Sequence, residues 1–263
     1  MPAIYAHTRF GKIVAKQLEG ELEQVVSRNY AAFQTGLQGP DIFFFYRPWN
    51  KNRVNQYGFH LHKVSAMPFF RHGVKVVRKK GTASREYAYL LGFLCHFILD
   101  SECHPYVTEM IEKTGIQHLE IEEEFEKMLM RMDGKNDLTY PQHRLVPTDW
   151  GTAAAVSPFY NKVPPKQVRS ALKYMRAVRR LFWAPGIVKQ SVINGVMRLT
   201  GKFDRMKGLM IQRKDHPGCR VTNEELMRRF NEAVGIALVM IQALDESVRL
   251  GSGLPKRLDR NFE

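Results

Sequence analysis

Residues 90–106, LLGFLCHFILDSECHPY, restrict what this chain can fold into more than any other stretch. The run is apolar except where His96, Asp100 and His104 interrupt it at four-residue intervals. Four residues advance a helix by about 400°, so the three side chains share one face. Polar groups set among Leu91, Phe93, Leu94, Phe97, Ile98 and Leu99 need partners once buried. A buried His–Asp hydrogen bond that staples two helices would supply them. A metal ion would also do so, because imidazole and carboxylate are zinc ligands. Taken alone, the stretch favours the staple.

Most other periodic segments also read as helix, and strand-like alternation is scarce. Residues 10–34 carry Ile13, Val14, Leu18, Leu22, Val25, Val26 and Tyr30 at helical spacing, with a break near Gly20. Two glycines and a proline in GLQGPD force a turn at 36–41 and deliver Asp41 just before an aromatic run. RPWNKNRVNQYG reads as loop. Residues 59–77 are helical with an interruption at Pro68. The helix of 90–106 is expected to end near Pro105, leaving His104 at or past its end. Residues 117–132 form a helix with His118 and Glu122 on one face, and with Glu123 and Glu124 expected in water. Residues 166–182 and 187–199 are amphipathic helices. In the closing helix, 222–248, Thr222 and Glu225 are spaced as a capping box. The tail from Gly251 is polar and expected to be loose. The fold class is therefore all-α, a multi-helix bundle. We expect one domain over 1–263, with a metal-site half at about 1–132 and a basic helical half at about 162–250.

The net charge is +14, which points to a polyanionic partner, either an anionic membrane surface or nucleic acid. Between 162 and 214 there are fourteen Lys or Arg and one Asp. Three cysteines cannot make a disulfide framework, and Cys95 and Cys103 are expected to be buried packing residues. The opening MPAIYAHTRFGKIV lacks an apolar segment behind a basic start, and no window is long and apolar enough to span a bilayer. The expected setting is the reducing cytoplasm, with peripheral membrane contact open. Nothing marks a protein partner.

The potential ligands, in chain order, are His7, Asp41, one of His60 or His62, His96, Asp100, His104, His118 and Glu122. They come from separate helical segments, as a multinuclear site inside a bundle requires. His72 reads as a surface residue, and His143 has no evident partner.

The opening with His7, the turn Gly39-Pro40-Asp41, the H-x3-D-x3-H of His96, Asp100 and His104, and the H-x3-E of His118 and Glu122 resemble the zinc-dependent phospholipase C family. That family shares its all-α fold with the single-strand-specific zinc nucleases. The resemblance covers roughly residues 1–125. It implies up to three zinc ions in a cleft. Asp41, His62, His96 and Asp100 would hold one. Asp100 would bridge to a second, which also takes His7 and the N-terminal residue, here Pro2 after loss of Met1. His104, His118 and Glu122 would hold the third. The resemblance selects His62 over His60, from the pattern L-H, a short spacer and FF. It also implies that Asp41 orients or deprotonates the nucleophile. The implied reaction is hydrolysis of a phospholipid to diacylglycerol and a phosphorylated head group. A zinc nuclease or 3′-nucleotidase, or a metal-binding, membrane-associated homologue without turnover, are the alternatives. Activity should fall below about pH 5–6, where ligand histidines take up protons.

In the basic half, Arg176, Arg179 and Arg180 stand beside Trp183. Such a helix is expected to lie on an anionic membrane or, less favoured, to grip nucleic acid. The alternative is that it packs its apolar side inward.

Overall fold

The computed structural model describes residues 4–262. Among them are twelve α-helices and no strand, the all-α architecture that the helical periodicity predicts. The first elements are α1 (Ile4–Ala15), α2 (Gly20–Arg28) and α3 (Tyr30–Gly36), followed by a 3₁₀ helix, Gly39–Phe45. Next come α4 (Arg53–Lys63), α5 (Met67–Lys80) and α6 (Arg85–Thr114).

Helix α6 is the axis. It packs against α1, α2, α3 and α5, and every residue from Tyr87 to Ser101 is buried. A helix surrounded on all sides has to be apolar all round, and this one is, apart from its His and Asp side chains. Helix α3 crosses it in close contact because Gly36 and Gly92 face each other's backbone, where a Cβ on either would overlap the other helix. That approach sets the next turn directly over α6. Gly39 adopts φ +50°, and a Cβ there would run into the His96 ring. The turn is therefore held to glycine twice over, and it lowers Asp41 into the core.

Two sequence expectations are corrected in this region and one is sharpened. The segment read as loop is helical from Arg53 onward. Asn52 caps it, accepting from Val54 N and Asn55 N at 3.0 Å while Asn55 Oδ1 accepts from Asn52 N at 3.0 Å. Asn serves here at both positions of the reciprocal cap. The interruption expected at Pro68 falls just before it, between α4 and α5, and Pro68 itself sits in the first turn of α5, where its missing N–H costs nothing. Pro105 does not end α6, which continues to Thr114. A proline inside a helix deprives the carbonyl four residues earlier of its donor. Arg260 donates to that carbonyl, Ser101 O, from the far end of the chain. Arg229 donates to the next, Glu102 O, at 3.1 Å.

After α6 come α7 (His118–Met132), α8 (Trp150–Val156), α9 (Pro165–Phe182), α10 (Ile187–Leu199), α11 (Phe203–Met206) and α12 (Cys219–Leu250). Glu123 and Glu124 are not in water. Both are buried and face Lys127 at 3.4 and 2.6 Å, and they accept from Gln212 N and His216 N. This network fastens the 212–216 loop to α7. Helix α12 begins at Cys219, so Thr222 is buried inside it and Glu225 pairs with Arg228 and Arg229 rather than closing a capping box.

The tail is not loose. Leu258 and Phe262 are buried, Ala66 N donates to Arg260 O at 2.9 Å, Ser65 Oγ donates to Asp259 at 2.6 Å, and Arg257 and Arg260 both pair with Glu102.

Helix α9 faces inward more than its charge suggests. Arg179 is buried and Arg176 donates to Val146 O at 2.9 Å. Trp183 is half-buried, with Nε1 donating to Thr139 O at 3.2 Å and its ring against His143. Of the four residues expected at a surface contact, only Arg180 is exposed.

Candidate metal centre

The four-residue spacing on α6 does what the sequence predicts: His96, Asp100 and His104 are buried on one face. His7 reaches them from α1, Asp41 from the 3₁₀ helix, His62 from α4, and His118 and Glu122 from α7. His62 and His60 lie on opposite sides of α4. His62 is buried beside Asp41, and His60 is exposed. Pro2 lies outside the described residues. His72 is on the surface, where Nε2 donates to Pro158 O at 2.8 Å.

These side chains form three groups, each with donor atoms within 4.8 Å of one another: Asp41, His62 and His96; His7, His96 and Asp100; and His104, His118 and Glu122. His96 belongs to two of them. Asp100 is the hub, with Oδ1 at 3.1 Å from His7 Nε2 and 3.3 Å from His104 Nε2, and Oδ2 at 3.2 Å from His96 Nε2. Asp41 Oδ1 lies 2.7 Å from His62 Nε2 and 4.0 Å from His96 Nε2. His118 Nε2 lies 3.2 Å from Glu122.

Short distance is not satisfaction. His7 Nδ1, both ring nitrogens of His96, His62 Nε2, His104 Nε2, Asp100 Oδ2 and Glu122 Oε2 are buried without an aligned hydrogen bond. Each buried polar atom left so costs about 1–3 kcal/mol. A staple of His–Asp hydrogen bonds would not leave this many atoms unpaired. Nitrogen and carboxylate donors gathered at such distances are the ligand set of zinc, and the residues fit that ion.

The electrostatics divide the candidate ligands: against the opposing effect of burial, Asp100 raises the pKa of His7 and Glu122 raises that of His118. Burial, helped by the neighbouring His7 and His62 rings, pushes the His96 pKa down to about 3, so His96 is neutral at physiological pH. Burial works against ionised carboxylates, yet His104 and His7 hold Asp100 far below the usual range. The His62 ring, in contact with Asp41, lowers that carboxyl likewise. His62 Nδ1 donates to Gly58 O at 3.0 Å, which orients the ring with Nε2 toward Asp41.

Several supporting residues escaped the sequence reading. Glu126 accepts from Tyr5 N and Ala6 N, fixing the start of α1 beside His7. Its place four residues after Glu122 was a usable signal. Phe262 packs on the His62 and His96 rings at centroid distances of 4.9 and 5.7 Å. No local pattern announces that contact. A cleft lined by Phe44, Phe59, His62, Lys63, His104 and His118 opens onto the centre, with Phe44 and Phe59 stacked at 4.3 Å.

Fold and site together define an all-α protein with clustered His, Asp and Glu groups able to bind metal. The chain belongs to the zinc-dependent phospholipase C family, whose family model matches residues 6–163. All eight potential ligands fall inside the matched segment, and α9 to α12 lie beyond it. Neither a curated protein nor a solved structure matches the chain.

Proposed function

We propose that the protein is a zinc-dependent phosphodiester hydrolase of the phospholipase C type, converting a phospholipid to diacylglycerol and a phosphorylated head group. The convergence of buried donor atoms without hydrogen bonds around Asp100 carries this reading. In it, His7, Asp41, His62, His96, Asp100, His104, His118 and Glu122 are the ligands of two or three zinc ions drawn from the three groups. Zinc in these groups supplies positive charge at the phosphoryl oxygens and makes water nucleophilic near neutral pH.

The remaining work falls to the chain. Asp41, whose carboxyl stays ionised, orients the attacking water. Asp100 binds His7, His96 and His104 into one unit. The Gly58 carbonyl and the Phe262 ring fix His62, and Glu126 fixes the helix that carries His7. The Phe44–Phe59 stack gives the apolar part of a lipid somewhere to lie beside the phosphate.

The net charge of +14 favours a second reading, hydrolysis of single-stranded nucleic acid at the same centre. Metal-loaded protein assayed on phosphatidylcholine vesicles and on single-stranded DNA ranks the two. Hydrolysis of the vesicles with DNA left intact supports the lipase. The reverse supports the nuclease. Zinc bound with neither substrate consumed contradicts both and identifies a homologue without turnover.

A further inference from the structure

Helix α10 presents its apolar residues to solvent. Val188, Val192, Val196 and Leu199 follow one another at intervals of four, four and three, so they form one stripe. They are 73, 61, 55 and 90% exposed. The opposite side of the helix is also apolar: Met197 and Ile193 pack with Ala184 and Met210 in a small core separate from the main one. The inward side is therefore already satisfied, and the stripe is a second apolar face. A surface helix normally carries polar residues there, so this stripe calls for a partner.

The charge around it identifies the partner's chemistry. Residues 187–214 contain seven Lys or Arg and one acid, Asp204. Arg198, Lys202 and Arg205, at the C-terminal end of the stripe, are exposed and have no acidic partner among the described residues. We propose that α10 docks the protein on an anionic lipid surface, with the stripe in the acyl boundary and the surrounding cations at the head groups. A second copy of the chain fits badly, because pairing the stripes would bring the same cations together. Nucleic acid fits badly too, because aliphatic side chains neither stack on bases nor neutralise phosphates. The site differs from the Arg176–Trp183 stretch, most of which faces inward.

The location suits a lipid-cleaving centre, and the inference rests on that reading for its purpose. Gly208, just after α11, packs its backbone against Leu119 O, and Lys207 pairs with Glu120 at 2.6 Å. The platform bearing α10 is thus fastened next to His118, whose side chain is 34% exposed at the rim of the metal centre. Docking through α10 would hold that rim near the surface that contains the substrate.

Sedimentation with vesicles of phosphatidylcholine, with and without phosphatidylglycerol, tests the proposal in the full-length protein. Binding should require the anionic lipid and weaken with salt. V192D/L199D should lower vesicle affinity by at least about tenfold, and K202A/R205A by about fivefold for each cation removed. Both variants change exposed residues and should retain the wild-type circular dichroism and hydrolysis of a soluble nitrophenyl phosphodiester, while hydrolysis in anionic vesicles falls. Equal binding by wild type and V192D/L199D overturns the docking role of α10. So does a stripe-dependent dimer without vesicle binding, or stripe-dependent binding of single-stranded DNA. Loss of the soluble activity in wild type would instead overturn the hydrolase reading and leave the vesicle-binding result standing.

Discussion

Around α6, ionisable side chains are buried inside an apolar shell; on α10, apolar side chains stand in water with exposed cations at one end. Each arrangement reverses the ordinary partition of a globular protein. The first leaves nitrogen and oxygen atoms without hydrogen bonds, which a cation would satisfy. The second leaves Val and Leu without packing, which lipid would satisfy. The reversals also differ in how they are held. The α6 region is supported from both ends of the chain, by α1 and by residues 256–262, whereas α10 rests on a small separate core. Changes near α6 should therefore be severe and global, and changes on α10 mild and confined to surface behaviour.

The largest expected effect separates two neighbouring histidines. His62→Ala should weaken zinc binding by more than about a hundredfold, the upper end for a residue that merely orients a ligand. His60→Ala, on the solvent side of the same helix, should leave it unchanged. Zinc titration against a chromophoric chelator measures both, and equal effects would remove His62 from the ligand set.

Next comes the tail. Phe262→Ala opens a cavity against His62, His96, Phe93 and Phe97 and should cost about 3–5 kcal/mol in urea unfolding. A cost under about 1 kcal/mol would mean that the tail is not part of the core. Arg260→Ala leaves Ser101 O without a donor next to Asp100 and should cost about 1–3 kcal/mol. Amide exchange near Pro105 should rise with it; unchanged exchange would mean that another donor serves the carbonyl. The smallest effect is expected on α10. Val192→Asp should change stability by no more than about 0.5 kcal/mol. A larger loss would show that the stripe is packed in solution and would erase the contrast between the two regions.

Much of the candidate metal centre was legible because its grammar is local. Four-residue spacing on α6 and α7 shows shared faces directly, and Gly39 before Pro40 and Asp41 marks a forced turn. Other features depend on distant partners. Pro105 reads as a helix end until Arg260 meets Ser101 O. Glu123 and Glu124 read as solvated until Lys127 and the amides of Gln212 and His216 reach them. The tail has no periodicity, so nothing in it foretells that Phe262 lies on the histidines. Arg179 is a different case. It continues the buried series Val168, Leu172 and Met175 at helical spacing, so its inward position was readable, but its charge argued the other way. On α10 the helix was evident and the exposure of its apolar face was not, because periodicity shows that residues share a face and not what covers it.

The central claim is that the buried groups around Asp100 hold zinc. Metal analysis of reconstituted wild type and Asp100→Asn, with folding checked by circular dichroism, tests it most directly. The account predicts two or three zinc ions bound by the wild type, drawn from the three groups, and loss of zinc from a folded Asp100→Asn protein. A folded wild type that binds no zinc, or an Asp100→Asn protein that keeps its full complement, would contradict it.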